Sequence, residues 1–394
     1  MSPTTIVTGR NNRGVAGDDA RRLLERWLPG GDRVLVESEE HALSPGHPDV
    51  EVLHVADGPD GTFTPPVYRP YRVDAHRELA PGVVVTVFRA TENPWAPPCS
   101  EMSYQMLVHR VLRTGEARPD RTGTGTFSLF GEGLTIDLAR GVPLLTTRRV
   151  PWRAVVAELV WFLRGRTDVD FLRERGVRIW DGNSSRAFLD GRGLGDLREG
   201  DIGAGYGFQF RHFGAAYPGC DKAPVGGTDQ LEAVVRGVRD DPTSRRHVVT
   251  AWNPSQLART ALPPCHVMHQ FYVSSGGGAE PWAPARLDCM LTMRSCDVGL
   301  GLAFNMVSYA AWTEVVARKA GLRAGRLVVN IGDAHVYRDH VEALEELLHR
   351  RPLAAPRLVL ADGIEAKPLS EIDTSDFDVV GYVCHPPLAM RMSV

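Results

Sequence analysis

One cysteine, in the segment ALPPCHVMHQ (261–270), stands where covalent chemistry is possible. Cys265 follows two prolines, whose fixed φ angles stiffen the turn, and it precedes His266. A cysteine attacks as its thiolate, and neighbouring guanidinium groups lower the pKa of the thiol by favouring that charged form. A lone cysteine is more commonly an inert buried thiol, so this segment alone leaves both roles open.

Arginines occur in three segments that suit the binding of an anion. DRTGTGT (120–126) places Arg121 in a glycine-threonine loop whose backbone amides could surround an anion. DPTSRRH (241–247) contains Arg245 and Arg246, and MRSCD (293–297) contains Arg294 and Ser295. Each segment alone is equally consistent with a solvated turn. Together they predict a phosphorylated substrate that several arginines hold beside a nucleophile.

Further polar side chains stand in settings that suit catalysis or recognition. Glu158 interrupts the apolar helix VVAELVWFL, which predicts either a structural ion pair or a proton-transferring group with a raised pKa. Tyr206 lies in the glycine-rich bend GDIGAGYGFQFRHFG. Asn305 starts a predicted helix, where it either caps the helix or reads the edge of a flat heterocycle. His335 and Tyr337, two positions apart, share one face of a strand, which suits a sugar hydroxyl.

The elements that must position these residues have mixed hydrophobic periodicity. Residues 1–97 predict a small α/β unit, with strands at TTIVTG, DRVLVES and PGVVVTVFRA and a helix at DDARRLLERWL. The proline-rich segment ENPWAPPCS (92–100) predicts a domain boundary. Helices and strands then follow without strict alternation, which favours an α+β fold. The predicted helices are SYQMLVHRVLRTG, RAVVAELVWFLRG, GTDQLEAVVRGVRD and NMVSYAAWTEVVARKAG; the strands are VVTAWN, HQFYVSS, RLDCMLTMRS and RLVVNIGD, and SSGGGAEPWAPA is a hairpin loop.

The composition of the chain argues against several classes of protein. The chain has 394 residues, 43% of them hydrophobic and 24% charged, and a formal net charge of -3, which argues against a surface that coats nucleic acid. No signal peptide and no run of about 18 apolar residues is visible in the sequence. The six cysteines form no CxxC pair. These features favour a cytoplasmic enzyme with free thiols, without a metal site, a membrane segment or a nucleic-acid partner.

The ordered motifs resemble those of the thymidylate synthase family over about residues 101–394. The resemblance implies a mixed sheet with surrounding helices, in a catalytic domain that acts as a homodimer. The segment HPPLAMRMSV resembles the C-terminal segment with which that family closes over its folate. The matching motifs are DRTGTGTFSLFG, PLLTTRR, ELVWFLRGRTDVDFL, IWDGNSSRAFLD, GYGFQFRHFGA, DPTSRRHVVTAWNP, LPPCHVMHQFYV, RSCDVGLGLAFNMVSYA and GDAHVYRDH.

The resemblance also implies a reaction and a role for each motif. Cys265 would add to C6 of a uracil-type ring, so that C5 attacks the one-carbon unit of 5,10-methylenetetrahydrofolate. Glu158 would relay protons, and Tyr206 would help to remove the C5 proton. The resemblance implies that the 5′-phosphate is bound by Arg121, Arg294 and Ser295, and by Arg245 and Arg246 of the other subunit of a dimer. It implies that Asn305 binds the pyrimidine edge, that the ribose is bound by His335 and Tyr337, and that the folate is bound by Trp180, Asp297, Leu300 and Gly301. His266 would support the nucleophile, and Asn305 and Asp297 also count as catalytic.

Some positions depart from the family pattern. Met293 replaces a glutamine, and a thioether cannot donate a hydrogen bond to water near the nucleophile. Thr292, Ala303 and the pair Ala204-Gly205 replace tyrosine, proline and Pro-Val.

The leading interpretation is methylation of dUMP to dTMP. The departures motivate an alternative, a 5-hydroxymethylase of dUMP, dCMP or CMP in which water captures the exocyclic methylene. A non-catalytic nucleotide-binding regulator is a third interpretation, which the complete set of reactive residues opposes.

Residues 1–97 lie outside the resemblance. Bifunctional relatives carry dihydrofolate reductase in this position, and TIVTGRNN followed by RVLVES faintly resembles nucleotide-binding strands of that fold. The segment is too short for a complete reductase. The sequence therefore predicts an accessory domain over 1–97, either a reductase-like remnant or unrelated, and a catalytic domain over 98–394.

Overall fold

The computed structural model describes residues 101–274 and 285–392 in full and, before them, the backbone of Ser100 and of strands β1 to β5. These strands form one sheet of order β2-β1-β3-β5-β4, in which β1 runs parallel to β2 and β3. Three of them confirm the strands predicted at TTIVTG, DRVLVES and PGVVVTVFRA, whereas the helix predicted at DDARRLLERWL lies outside the described residues. The strands are β1 (Thr4–Thr8), β2 (Arg33–Glu37), β3 (Val50–Asp57), β4 (Tyr71–Ala80) and β5 (Val83–Ala90).

The remaining elements confirm the predicted α+β architecture. Every helix and strand predicted after the boundary is present, most of them longer than the pattern indicated. The helices are α1 (Ser100–Thr114), α2 (Trp152–Leu163), α3 (Asp170–Arg173), α4 (Arg186–Gly191), α5 (Tyr206–His212), α6 (Gln230–Asp240), α7 (Gly301–Lys319) and α8 (Val341–Leu348). The strands are β6 (Glu116–Arg118), β7 (Thr126–Asp137), β8 (Val248–Thr250), β9 (His266–Ser274), β10 (Arg286–Asp297), β11 (Arg323–Tyr337), β12 (Arg357–Leu360) and β13 (Phe377–Val380).

A mixed six-stranded sheet of order β6-β7-β11-β10-β9-β8 forms the centre of the described region. Only β10 and β11 pair in parallel within it; the other neighbours are antiparallel. Parallel neighbours need a long crossover, and α7 provides it, packing on β10, on β11 and on α2. Residues on every side of α7 are buried, because the sheet covers one side and other helices cover the rest. β9 and β10 pair with Ser274 opposite Arg286, as a hairpin requires, and the loop residues 275–284 lie outside the described residues.

Strand register brings the candidate residues to one edge of this sheet. Because β10 and β11 are parallel, Asp297 lies opposite His335 at their carboxyl ends. His266 at the start of β9 pairs with Met293, immediately before Arg294. Thr126 at the start of β7 pairs with Tyr337, so the loop containing Arg121 reaches the same edge. Residues that are far apart in the chain therefore meet where four strands begin or end.

The predicted position of Asn305 at the start of a helix is wrong. Helix α7 begins at Gly301, with Leu300 in the N-cap position, so Asn305 lies in the second turn. Asp297 closes the turn before the helix, because its Oδ1 accepts hydrogen bonds from the backbone N–H groups of Gly299 (2.8 Å) and Leu300 (3.2 Å). A residue in the second turn satisfies none of the free N–H groups that a helix N-terminus exposes, so the capping role of Asn305 is excluded.

Candidate active site

Arg294 holds one side of the turn that carries Cys265. Arg294 donates from Nε to the carbonyl of Pro264 (2.8 Å) and from Nη2 to the carbonyl of Pro263 (2.7 Å). The same Nη2 lies 3.5 Å from Cys265 Sγ. The backbone N–H of Arg294 also donates to the carbonyl of Cys265 (2.9 Å). The prolines leave these carbonyls in fixed directions, and the guanidinium fork joins them to the thiol, which fixes the position of the sulfur.

The pKa of Cys265 does not follow the expectation of a lowered value. Burial raises the pKa of this partly buried thiol, and the charges of Arg294 and Arg121 offset only part of that increase. The expectation was wrong for this state because desolvation of a thiolate outweighs two guanidinium groups that also face solvent. The two arginines nevertheless lower the pKa of Cys265, as predicted, by less than burial raises it.

Tyr206 begins helix α5 and supports the cysteine from the other side. Its hydroxyl accepts a hydrogen bond from the backbone N–H of Cys265 (2.7 Å). Its ring stacks on His266, with centroids 3.9 Å apart. His266 is buried, which lowers its pKa to about 3, and its Nδ1 lies 2.8 Å from the hydroxyl of Tyr309. His266 is therefore a neutral ring in the core, held between Tyr206 and Tyr309.

Glu158 has the raised pKa that its apolar helix predicted. It lies in α2 with 9% of its surface exposed, and burial raises its pKa to about 7 although a hydrogen bond from Trp180 opposes the shift. The Trp180 indole Nε1 donates to Glu158 Oε1 at 2.7 Å. The Trp180 ring also packs edge-on against Tyr206, with centroids 6.1 Å apart. At neutral pH the Glu158 carboxyl group is therefore partly protonated and partly ionised.

The glycine-threonine loop does not present its amides to solvent. The N–H groups of Thr122 (2.7 Å) and Gly125 (2.6 Å) donate to the carboxylate of Asp120 instead. This finding corrects the expectation that these amides surround a substrate anion, since the loop supplies its own anion. Arg121 is exposed at the tip, and its charge acts on Cys265 and on Tyr337, so its side chain remains a candidate for substrate binding.

His335 and Tyr337 share a face of β11, as predicted, with ring centroids 5.3 Å apart. His335 Nδ1 lies 3.2 Å from Asp333 Oδ1. The Ser128 hydroxyl donates to the same oxygen at 2.6 Å. Burial raises the pKa of Tyr337 to about 12, and Asp297 adds to the increase. This phenol is therefore neutral and can both donate and accept a hydrogen bond.

Three of the predicted folate residues, Asp297, Leu300 and Gly301, lie together where β10 ends and α7 begins. Leu300 and Gly301 are partly buried at the start of α7, next to the turn that Asp297 closes. His340 is fully buried; its Nε2 lies 2.6 Å from the carbonyl of Arg391, and its Nδ1 lies 3.7 Å from Asp297 Oδ1. The C-terminal segment thus packs against the edge of the sheet where Asp297 lies.

The other predicted substrate residues differ in their surroundings. Asn305 and Ser295 are partly buried, and Asn305 Oδ1 is 3.9 Å from the point where a Cβ on Gly301 would lie, which places the amide beside the turn at the start of α7. Arg245 and Arg246 are exposed just before β8. Neither is among the charges that act on Cys265, so within one subunit they stand apart from the nucleophile.

The positions that depart from the family pattern are mostly buried. Met293 is 2% exposed and Ala303 and Ala204 are fully buried. At Gly205 a Cβ would lie 2.6 Å from the side chain of Ile202, so this backbone has no room for a valine without a shift. The site therefore has an apolar wall at Met293 behind the Cys265 turn.

Two residues of the site were missed by sequence reasoning. Asp333 orients His335, and Tyr309 contacts His266. The alternation of β11, which puts Asp333 and His335 on one face, would have indicated the first. No local signal indicates the second, because α7 approaches β9 only in the folded chain.

Comparison with known proteins identifies the family. The family described as "Thymidylate synthase" matches residues 102–394. Thymidylate synthase of Agaricus bisporus is 50% identical over 298 residues, which cover 75% of this chain and 99% of that protein. The Saccharomyces cerevisiae thymidylate synthase is 45% identical (75% and 97% covered), and the bifunctional dihydrofolate reductase-thymidylate synthase of Leishmania major is 47% identical (75% and 55% covered). Together with the position of Cys265, Arg121 and Arg294 at one sheet edge, these matches show that the chain belongs to the thymidylate synthase family.

Proposed function

We propose that this protein is a methyltransferase that converts dUMP to dTMP with 5,10-methylenetetrahydrofolate. The observation that carries the proposal is the turn at Cys265, in which one guanidinium fork joins Pro263, Pro264 and the sulfur. A thiol held in this way is positioned to add to an electrophilic ring carbon, since proximity and orientation replace much of the entropy of encounter. The high identity to thymidylate synthases supports the same reaction.

Substrate binding would complete the activation of Cys265. Arg294 and Arg121 already favour its thiolate, and exclusion of water by a bound nucleotide strengthens such charge interactions. We assign the 5′-phosphate to these arginines and Ser295, and the ribose to His335 and Tyr337. Asn305 offers both a donor and an acceptor, which matches O4 and N3–H of uracil.

Glu158 is the proton-handling group of the proposal. A pKa of about 7 gives a carboxyl group that can both donate and accept a proton at neutral pH. Tyr206 has a pKa raised far above its ordinary value by burial, so it acts as a neutral hydroxyl. The contact between Tyr206 Oη and the backbone of Cys265 supports a role in passing on the proton that leaves C5, the neighbour of the ring carbon that the sulfur attacks.

The folate site fits the residues present. Asp297 offers a carboxylate to ring N–H donors, and Leu300 offers apolar surface beside it. The Trp180 ring, whose N–H donates to Glu158, would offer a second apolar surface. Arg148 adds a buried Nε without a partner in the described structure, while its Nη2 donates to the carbonyl of Gly299 at 2.6 Å. When bound, the folate supplies the one-carbon unit and the reducing equivalents. His340 and the C-terminal segment would exclude water from this position.

A homodimer with shared arginines is part of the proposal. Arg245 and Arg246 are exposed and do not act on Cys265 of their own chain. The adjoining strands present apolar side chains to solvent in the single chain, with Val248 39% and Tyr272 59% exposed. Two sheets that pack through this face would bury those side chains and carry Arg245 and Arg246 to the partner's site.

We also propose that residues 98–394 form the catalytic domain and residues 1–97 an accessory domain. The start of the family match at residue 102 supports this division. We propose a cytoplasmic location, which the free thiols of Cys220, Cys265, Cys289, Cys296 and Cys384 support. In the parts of the chain that the structure describes, no helix is long and apolar enough to cross a membrane.

The experiment that tests the function separates methylation from hydroxymethylation. The full chain is incubated with dUMP, dCMP or CMP and 5,10-methylenetetrahydrofolate, and the products are identified by mass spectrometry. We expect methylated dUMP together with dihydrofolate, because the methylene must be reduced by the folate. A hydroxymethylated product with tetrahydrofolate, or turnover of a cytosine nucleotide in preference to dUMP, would reject the proposal in favour of a hydroxymethylase.

A further inference from the structure

A second cleft lies away from the candidate active site, where helix α7 ends and strand β11 begins. Its volume is about 410 Å³, within the range of small-molecule sites. β11 starts in this cleft at Arg323 and ends at the candidate site with Tyr337, so the two places lie roughly 45 Å apart along the strand. The apolar part of the lining is formed by Leu138, Val142, Ala310, Leu322 and Leu358.

The walls of the cleft are fixed by hydrogen bonds outside it. The N–H of Val142 donates to the carbonyl of Pro356 at 2.9 Å, which joins the segment after β7 to the segment before β12. Lys319 Nζ at the end of α7 donates to the carbonyl of Glu365 at 3.4 Å. The cleft is therefore a preformed feature of the fold, and a ligand would not have to order its walls.

Positively charged side chains outnumber negatively charged ones in the cleft. Arg318, Arg323 and Arg357 line it together with one carboxyl group, Glu314. Arg318 has a long ion pair with Glu365 (3.8 Å), and neither Arg323 nor Arg357 forms an ion pair with another described residue. Exposed guanidinium groups that converge on a cleft are suited to a phosphate or a carboxylate.

Glu314 gives the cleft a second polar feature beside its arginines. It is the single acidic residue of α7, it is half-buried, and burial raises its pKa although Arg318 opposes the shift. A carboxylate in this position is stabilised by N–H donors that reach both oxygens. A flat ring with two adjacent N–H donors would supply them, and its faces would contact the apolar lining.

We propose that this cleft binds a small anion with a planar ring whose adjacent N–H and NH₂ donors face Glu314 and whose phosphate or carboxylate faces Arg323 and Arg357. Guanine and pterin rings both have this donor pair. The source is therefore a purine nucleotide or a folate-like molecule, and the two are separate arms of the test.

The test is isothermal titration calorimetry on the full chain with GMP, pteroylglutamate, IMP and inorganic phosphate. At least one of GMP and pteroylglutamate should bind with a Kd below about 1 mM, and the one that binds identifies the source. The double variant Arg323→Gln/Arg357→Gln should weaken that binding at least tenfold. Glu314→Gln, which replaces an acceptor with a donor, should do the same. IMP lacks the 2-amino group and should bind more weakly than GMP if GMP is the ligand.

Controls separate this cleft from the candidate active site. Arg121→Gln should leave GMP binding to the cleft unchanged, and Asp297→Asn, which alters the proposed folate site, should leave pteroylglutamate binding to the cleft unchanged. The cleft variants should keep kcat/KM for dUMP within about twofold of wild type, since they touch none of the reacting groups. Binding that Arg121→Gln or Asp297→Asn abolishes and the cleft variants preserve would overturn the proposal. So would the absence of binding by both ring ligands, or phosphate that binds as tightly as they do.

Discussion

Replacement of Glu158 by glutamine should change how the stability of the protein depends on pH. The pKa of Glu158 lies near 7 in the folded chain and near 4.5 for an exposed glutamate, so the folded state binds this proton more tightly. The associated stabilisation is present below pH 4.5 and is lost as the pH rises through about 7. At about 1.4 kcal/mol per pKa unit, ionisation of buried Glu158 costs about 3 kcal/mol. Glutamine does not titrate, so the stability of the Glu158→Gln variant does not fall for this reason as the pH rises.

The measurement is urea unfolding at fixed protein concentration, followed by tryptophan fluorescence at pH 5 and pH 8. The free energy of unfolding of Glu158→Gln, relative to wild type, should increase by about 2–3 kcal/mol between these pH values. Other titrating groups are common to both proteins and cancel. Parallel pH profiles for the two proteins would refute a raised pKa at Glu158.

The Trp180→Phe variant sharpens the same test. The Trp180 N–H stabilises the ionised carboxylate, so its removal should raise the pKa of Glu158 further and increase the pH-dependent loss by about 1 kcal/mol. In the Glu158→Gln background Trp180→Phe should have no such pH-dependent effect. An equal pH dependence in both backgrounds would show that Trp180 acts through something other than Glu158.

Three further predictions concern the nucleophile, its arginines and the base. Cys265→Ser should abolish turnover but retain nucleotide binding, measured by calorimetry. Co-expression of Cys265→Ser chains with inactive Arg246→Ala chains should restore part of the activity, because one site of each hybrid dimer then has both groups. Tagged hybrid dimers without activity would exclude the supply of Arg246 from the partner subunit. Arg294→Gln should slow alkylation of Cys265 by iodoacetamide about tenfold at pH 8, because loss of the cation raises the pKa of the thiol further; an unchanged rate would contradict the role of Arg294. Asn305→Asp should shift the ratio of kcat/KM from dUMP towards dCMP about tenfold or more, since aspartate has only acceptors for the base edge; unchanged selectivity in a folded, active variant would remove Asn305 from base recognition.

Much of the fold followed from local patterns in the sequence. The apolar runs around Glu158 and Asn305 predicted helices, and the alternation in RLVVNIGD predicted a strand, because side-chain periodicity depends only on near neighbours in the chain. The position of Glu158 in an apolar helix was also sufficient to predict a raised pKa, since desolvation follows from burial alone. The family followed from the order of the motifs along the chain.

Tertiary structure decided the contacts that give those residues their chemistry. Arg294 reaches the carbonyls before Cys265 because β9 and β10 pair in one particular register, and no spacing within either segment specifies that register. The loop after Asp120 binds its own carboxylate, a choice between competing acceptors that composition does not settle. The sequence by itself determined which groups are present and that Glu158 lies in an apolar helix; the pairing of strands determined which of them meet, because those contacts join residues that are distant in the chain.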